Sequence, residues 1–177
     1  TEARATAATT AEIERTPLVD TYAVHASLLG NISEFASYGT LLTTSPISAP
    51  VQLTEAETEY IVTAYKHVFA EHIVLQYNVT NTLAETVLED VVVVVGGLME
   101  AGLDEEFILP IPRLSAAAPS GTVYVSLRRD ANLPFPVATL SNTLRFTSKE
   151  VDTSSGEPEP EGYQDEYKTD CLLYTDD

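Results

Sequence analysis

Residues 52–95 read QLTEAETEYIVTAYKHVFAEHIVLQYNVTNTLAETVLEDVVVVV, and their pattern decides the fold. The middle of this stretch alternates: Ile73, Leu75, Tyr77 and Val79 point to one side, His72, Gln76, Asn78 and Thr80 to the other. A period of two with one apolar face describes a half-buried strand of an antiparallel sheet. Residues 56–67 give the strand before it, across a turn at 67–71. Val91–Val95, an unbroken valine run, suits a central strand covered on both faces and broken by Gly96-Gly97.

Downstream, Asp104–Ile111 reads as a further strand ending among Pro110 and Pro112. Gly121–Arg129 follows, with Val123, Val125 and Leu127 inward and Tyr124, Ser126 and Arg128 outward. Val137–Lys149 closes the series, with Leu140, Leu144 and Phe146 inward. Short strands separated by turn signals, with no long helix, predict an all-β, two-layer sandwich over residues 51–150. Residues 1–50 form an arm: 1–16 read as a linker with little to bury, Leu18, Tyr22 and Leu29 have helical spacing after Pro17, and Gly30-Asn31 stops that helix. Residues 151–177 are an acidic linker and tail, kept extended by like charges and proline.

Composition narrows the function. The 177 residues carry 27 acidic and 9 basic side chains, a formal net charge of -18. That field repels nucleic acid and anionic lipid. Cys171 is the single cysteine, so no internal disulfide forms and a reducing compartment is the default. The amino-terminal residues lack the apolar core of a signal peptide, and no apolar run approaches the roughly 20 residues that span a bilayer. The expectation is therefore no nucleic acid partner and no direct membrane insertion. The sequons at Asn31 and Asn78 would mark a secreted adhesion domain, but Asn78 lies mid-strand.

No residue set announces chemistry. His67 and His72 flank one hairpin and read as solvent-facing strand residues, because zinc asks for three or four ligands. Glu55, Glu57 and Glu59 alternate along a strand edge, where charge discourages pairing, and lack the spacing of a calcium loop. There is no GxSxG elbow, phosphate loop or paired-cysteine motif, so the reading is a non-enzyme with no cofactor and no metal. Arg113, Arg128, Arg129 and Arg145 hold most of the basic charge of the sandwich and form a candidate patch for an acidic peptide. Tyr77 belongs to the core, and Tyr124 is the surface aromatic. Tyr124 and Arg128 are thus the candidate partner-binding residues.

The run LTEAETEYIV at 53–62 resembles the start of the appendage, or ear, of the coatomer gamma subunit. The likeness continues through KHVF at 66–69, HIVLQYNVTNTL at 72–83, LEDVVV at 88–93 and EGYQDEY at 161–167, with SEFASYGTLLTTS at 33–45 upstream. The resemblance implies an immunoglobulin-like sandwich of the adaptin and coatomer appendage type. It implies a part of the COPI coat of Golgi-to-ER and intra-Golgi transport, cytoplasmic and peripheral on Golgi membranes and coated vesicles. The partners it implies are other coatomer subunits, through a trunk, and accessory factors such as an Arf GTPase-activating protein. In that family a platform subdomain with a peptide pocket follows the sandwich. After Tyr167 this chain reads KTDCLLYTDD, so the platform is expected to be missing and no platform residue is carried over. The competing class is a calcium-dependent membrane-binding β-sandwich that uses loop carboxylates.

Overall fold

A computed structural model describes residues 22–45, 50–55, 58–132, 138–169 and 172–174. Pro17 and Leu18 of the expected helix, the 1–16 linker, Glu57 and Cys171 lie outside these residues.

The described strands are β1 (Thr43–Ser45), β2 (Val51–Gln52), β3 (Tyr60–Val68), β4 (His72–Asn81), β5 (Thr86–Gly96), β6 (Asp104–Leu109), β7 (Ile111–Leu114), β8 (Ser120–Arg128), β9 (Ala138–Glu150), β10 (Tyr163–Lys168) and β11 (Leu172–Tyr174). They build two antiparallel sheets. The first runs β1-β3-β4-β8-β6, with β2 beside β1 along the same edge of β3; the second runs β10-β9-β5-β7, with β11 also on β9. Ile73, Leu75, Tyr77 and Val79 from β4 and Val123, Val125 and Leu127 from β8 meet Val91, Val93 and Val95 from β5 and Leu140, Leu144 and Phe146 from β9 in the core between the sheets. This is the all-β sandwich that the alternation predicts. Residues 22–30 are helical and the helix stops at Asn31, as the glycine signal predicts.

Four local readings are corrected. β3 starts at Tyr60 rather than 56, because hydroxyls take over the backbone partners of its entry. Val62 N–H donates to Thr54 Oγ1 at 3.0 Å and Thr58 Oγ1 donates to the Tyr60 carbonyl at 2.7 Å, local bonds that compete with a ladder. Glu55 and Glu59 are therefore exposed loop residues rather than a strand edge. Second, the strand expected over 104–111 divides at Pro110, which has no N–H to donate; β6 joins the first sheet and β7 the second.

Third, β5 is central but covered on one face only. Val91, Val93 and Val95 are buried while Val92 and Val94 are half-exposed. Its pairing with β9 shifts between Glu89 and Val92, where Asp90 takes φ 51° and forms a bulge, a conformation that aspartate tolerates better than most residues. Fourth, part of the acidic segment after residue 150 is sheet: Tyr163–Lys168 pairs antiparallel with Ser148–Thr143 of β9.

Candidate interaction surfaces

The outer face of the first sheet presents Val74, Tyr124 and Ser126, with Phe107 and Leu109 from β6 beside them. An apolar stripe there must be covered, and the arm covers it. Leu29 of the helix, Phe35 of a 3-10 helix (Ser33–Tyr38) and Leu41 bury themselves against Phe69 and Val74, with Tyr38, Phe107, Leu109 and Tyr124 around them. Phe35 stacks on Phe107 at 5.9 Å and meets Tyr124 edge-on at 5.5 Å. Tyr38 lies flat on His72 at 3.8 Å, and its hydroxyl is 2.5 Å from Ser126 Oγ. Burial raises the pKa of the Tyr38 and Tyr124 phenols. Tyr124 thus stands outward as predicted, on a face the arm already occupies.

The arm is anchored by polar contacts too, and here the histidine reading changes. His67 is fully buried rather than solvent-facing. Thr44 Oγ1 donates to its Nδ1 at 2.8 Å and its Nε2 donates to Gln76 Oε1 at 2.8 Å, while Gln76 Nε2 donates to Asn78 Oδ1 at 3.1 Å. The ring is held as the neutral Nε2–H tautomer. Burial lowers its pKa to about 4, against a smaller opposing effect of the Gln76 bond. Its neighbour is His25 of the helix, centroid to centroid 5.2 Å, rather than His72. His72 lies elsewhere on the same face, under Tyr38, its Nε2 3.2 Å from Glu106. The sequence contains no signal for the His25–His67 pairing, which depends on where the arm folds back.

At one end of the sandwich a polar pocket of about 400 Å³ is lined by Glu71, Asp104, Arg128, Arg129, Asp130 and Asn132. Arg128 is exposed and sits opposite both His72 and Asp104 in the ladder. Arg129 is buried and donates from Nη1 to the Ala70 carbonyl at 2.5 Å. Three carboxylates against two guanidinium groups leave this pocket without a basic surplus.

The outer face of the second sheet is exposed at Arg113 and Arg145 and half-exposed at Val92, Val94, Thr143 and Thr147. It carries Arg113 opposite Glu89, then Val92 opposite Arg145, and Arg145 opposite Glu166. The four arginines grouped by sequence therefore separate into two places: Arg128 and Arg129 at the end pocket, Arg113 and Arg145 on this face. Among the described residues no three histidine, cysteine or carboxylate groups converge in a way that would hold a metal ion. Among the described residues no helix is long and apolar enough to cross a membrane. Asn78, the mid-strand sequon, has its amide oxygen engaged by Gln76 and Thr122, each at 3.1 Å.

Two stacked antiparallel sheets with an arm strapped across one of them define an all-β sandwich of the appendage type. The family model described as the coatomer gamma subunit appendage platform subdomain matches residues 23–173. A probable coatomer subunit gamma of Schizosaccharomyces pombe is 46% identical over 144 residues, covering 81% of this chain and 15% of the relative. Coatomer subunit gamma of Arabidopsis thaliana is 44% identical over 148 residues, 82% of this chain and 16% of the relative. Coatomer subunit gamma-2 of Homo sapiens is 41% identical over 150 residues, 83% of this chain and 16% of the relative. The chain belongs to the coatomer gamma subunit appendage family. It spans about one-sixth of the length of these relatives. The matched description names the platform subdomain, whereas the sequence reading places residues 51–150 in the sandwich that precedes a platform.

Proposed function

We propose that this unit is the sandwich part of the appendage of a COPI coat gamma subunit and works as a non-catalytic scaffold and protein-interaction module. The coat acts in Golgi-to-ER retrograde and intra-Golgi transport, in the cytoplasm and peripherally on Golgi membranes and vesicles. Other coatomer subunits engage the trunk of the whole subunit, and accessory proteins, an Arf GTPase-activating protein among them, engage the appendage. The observation that carries this reading is the match to coatomer gamma relatives at 41–46% identity across four-fifths of the chain. The two-sheet architecture supports its assignment to the sandwich. The physical logic is that of a rigid domain on a tether: it raises the local concentration of coat surface available to a soluble factor.

The test uses the whole gamma subunit in reconstituted coatomer. Removing the segment equivalent to residues 22–174 is expected to leave complex assembly intact and to lower capture of the Arf GTPase-activating protein on coated liposomes. Unchanged capture would overturn the scaffold reading. Failure of the complex to assemble would also overturn it, by moving the unit into the trunk.

A further inference from the structure

The outer face of the second sheet is the place where this acidic molecule turns basic. Alternation along β9 sends Thr143, Arg145, Thr147 and Lys149 outward, and the register places Arg113 of β7 and Lys168 of β10 on the same side. Among the described residues the cations that reach solvent are these four long side chains, Arg113, Arg145, Lys149 and Lys168, together with Arg128 at the end pocket. The chain carries -18 overall, yet four of those five cations share one sheet face.

Pairing within the face sharpens this. Arg145 Nη2 meets Glu166 at 2.7 Å and Lys149 Nζ meets Glu89 at 2.9 Å. The two carboxylates are thereby neutralised. Arg113 and Lys168 make no ion pair among the described residues, so they are the uncompensated charges. Between them run the half-exposed Val92 and Val94 and the methyl-bearing Thr143 and Thr147. The register puts Arg113 level with Thr147 and Lys168 level with Thr143, three strands apart. Strand spacing and rise make that diagonal roughly 20 Å, the length of about six extended residues.

We infer that this face docks a short extended acidic segment of a partner protein, with carboxylates near its two ends on Arg113 and Lys168 and small β-branched or aliphatic side chains over Val92 and Val94. The inference rests on the reading of the unit as an interaction module and specifies the chemistry of one partner. Charge complementarity selects the occupant. A second copy of the chain, at -18, and nucleic acid each carry far more negative charge than a short acidic segment, so the field of the whole molecule opposes them more strongly, whereas a short segment meets chiefly the local basic face. Arg145 lies on the diagonal and can exchange Glu166 for a ligand carboxylate with little loss, since the pair is half-exposed and such pairs contribute little. The first sheet offers no equivalent, because the arm fills its outer face.

The experiment titrates the isotope-labelled full chain with an acetylated heptapeptide carrying two aspartates at each end and a Val-Thr-Val centre, followed by amide chemical shifts. Its asparagine counterpart and phosphatidylserine vesicles are run in parallel. Saturable shifts at residues 92–94, 113, 143–147 and 166–168 are expected. So are a tenfold or greater loss of affinity in the Arg113→Glu, Lys168→Glu double variant, an intermediate loss in Arg113→Gln, Lys168→Gln, and marked weakening at 500 mM salt. No shifts, equal binding of the asparagine peptide, shifts centred on Arg128 and Asn132, or binding to vesicles alone would each overturn the inference. Those outcomes leave the coatomer deletion experiment untouched, so the two readings fail separately.

Discussion

His67 shows how a single residue records the docking of the arm. Its burial between Thr44 and Gln76 holds it neutral, with a pKa of about 4 against 6.5 in the unfolded chain. The unfolded state therefore binds the extra proton between those values. The stabilisation is complete above about pH 6.5 and is lost as pH falls toward 4. Unfolding in urea should show this residue's contribution dropping by about 2 kcal/mol between pH 7 and pH 5. His67→Gln should flatten that part of the profile, and an unchanged slope would show that the ring is solvated. A second residue-scale case joins the sheets. Tyr77, fully buried, donates to Asn142 Oδ1 at 2.5 Å, and burial pushes its phenol far up. Asn142→Leu leaves that hydroxyl without its acceptor and should cost about 1–3 kcal/mol by chemical denaturation. Adding Tyr77→Phe should recover part of the loss, which a simple packing defect would not allow. Tyr77 was legible as core from its place in the alternation. Its partner was not, because Asn142 is a polar residue on the inward side of β9 and nothing local announces the hydroxyl it meets.

At the scale of elements, the exit of β5 depends on a glycine pair. Gly97 has φ +87°, and a Cβ there would stand 2.8 Å from the Thr139 carbonyl oxygen. Conformation and contact both exclude a side chain. Gly97→Ala should destabilise the fold by about 1–3 kcal/mol, and Gly102→Ala, at a φ of +69° with open space around it, by less; equal losses would mean that the contact with β9 contributes nothing. The valine run and the terminating glycines were legible as a strand and its end. That only alternate valines are buried was not, since a run of like residues has no period of its own and the covering layer is a property of the other elements. The split at Pro110 follows the same logic: the proline signals an interruption, but which sheet receives each half depends on β8 and β5. The edge strand β10 was hidden by its composition, because four of its six residues are charged or amide side chains whose period is masked by exposure on both faces.

For the whole molecule, the arm packs against the sandwich and covers one of its outer faces. Phe69, Val74, Phe107, Leu109 and Tyr124 are shielded by Leu29, Phe35 and Leu41. A chain lacking residues 1–42 should bind a hydrophobic dye such as ANS several-fold more strongly and melt at a lower temperature than the full chain, by scanning calorimetry; equal dye binding would show that the sandwich closes without its arm. Sequence alone determined the class of fold, the inward sets of β4, β8 and β9, the helix stop at Gly30-Asn31 and the overall anionic character, because these follow from local periodicity, turn chemistry and counting. Tertiary structure decided the rest: that the outer face of the first sheet is covered while that of the second is exposed at Arg113 and Arg145, that His67 pairs with His25, and that Arg113 and Arg145 part company with Arg128 and Arg129. Each of those outcomes is fixed by contacts between segments far apart in the chain. Such contacts arise from the burial of many apolar surfaces at once, and no short stretch of residues encodes them.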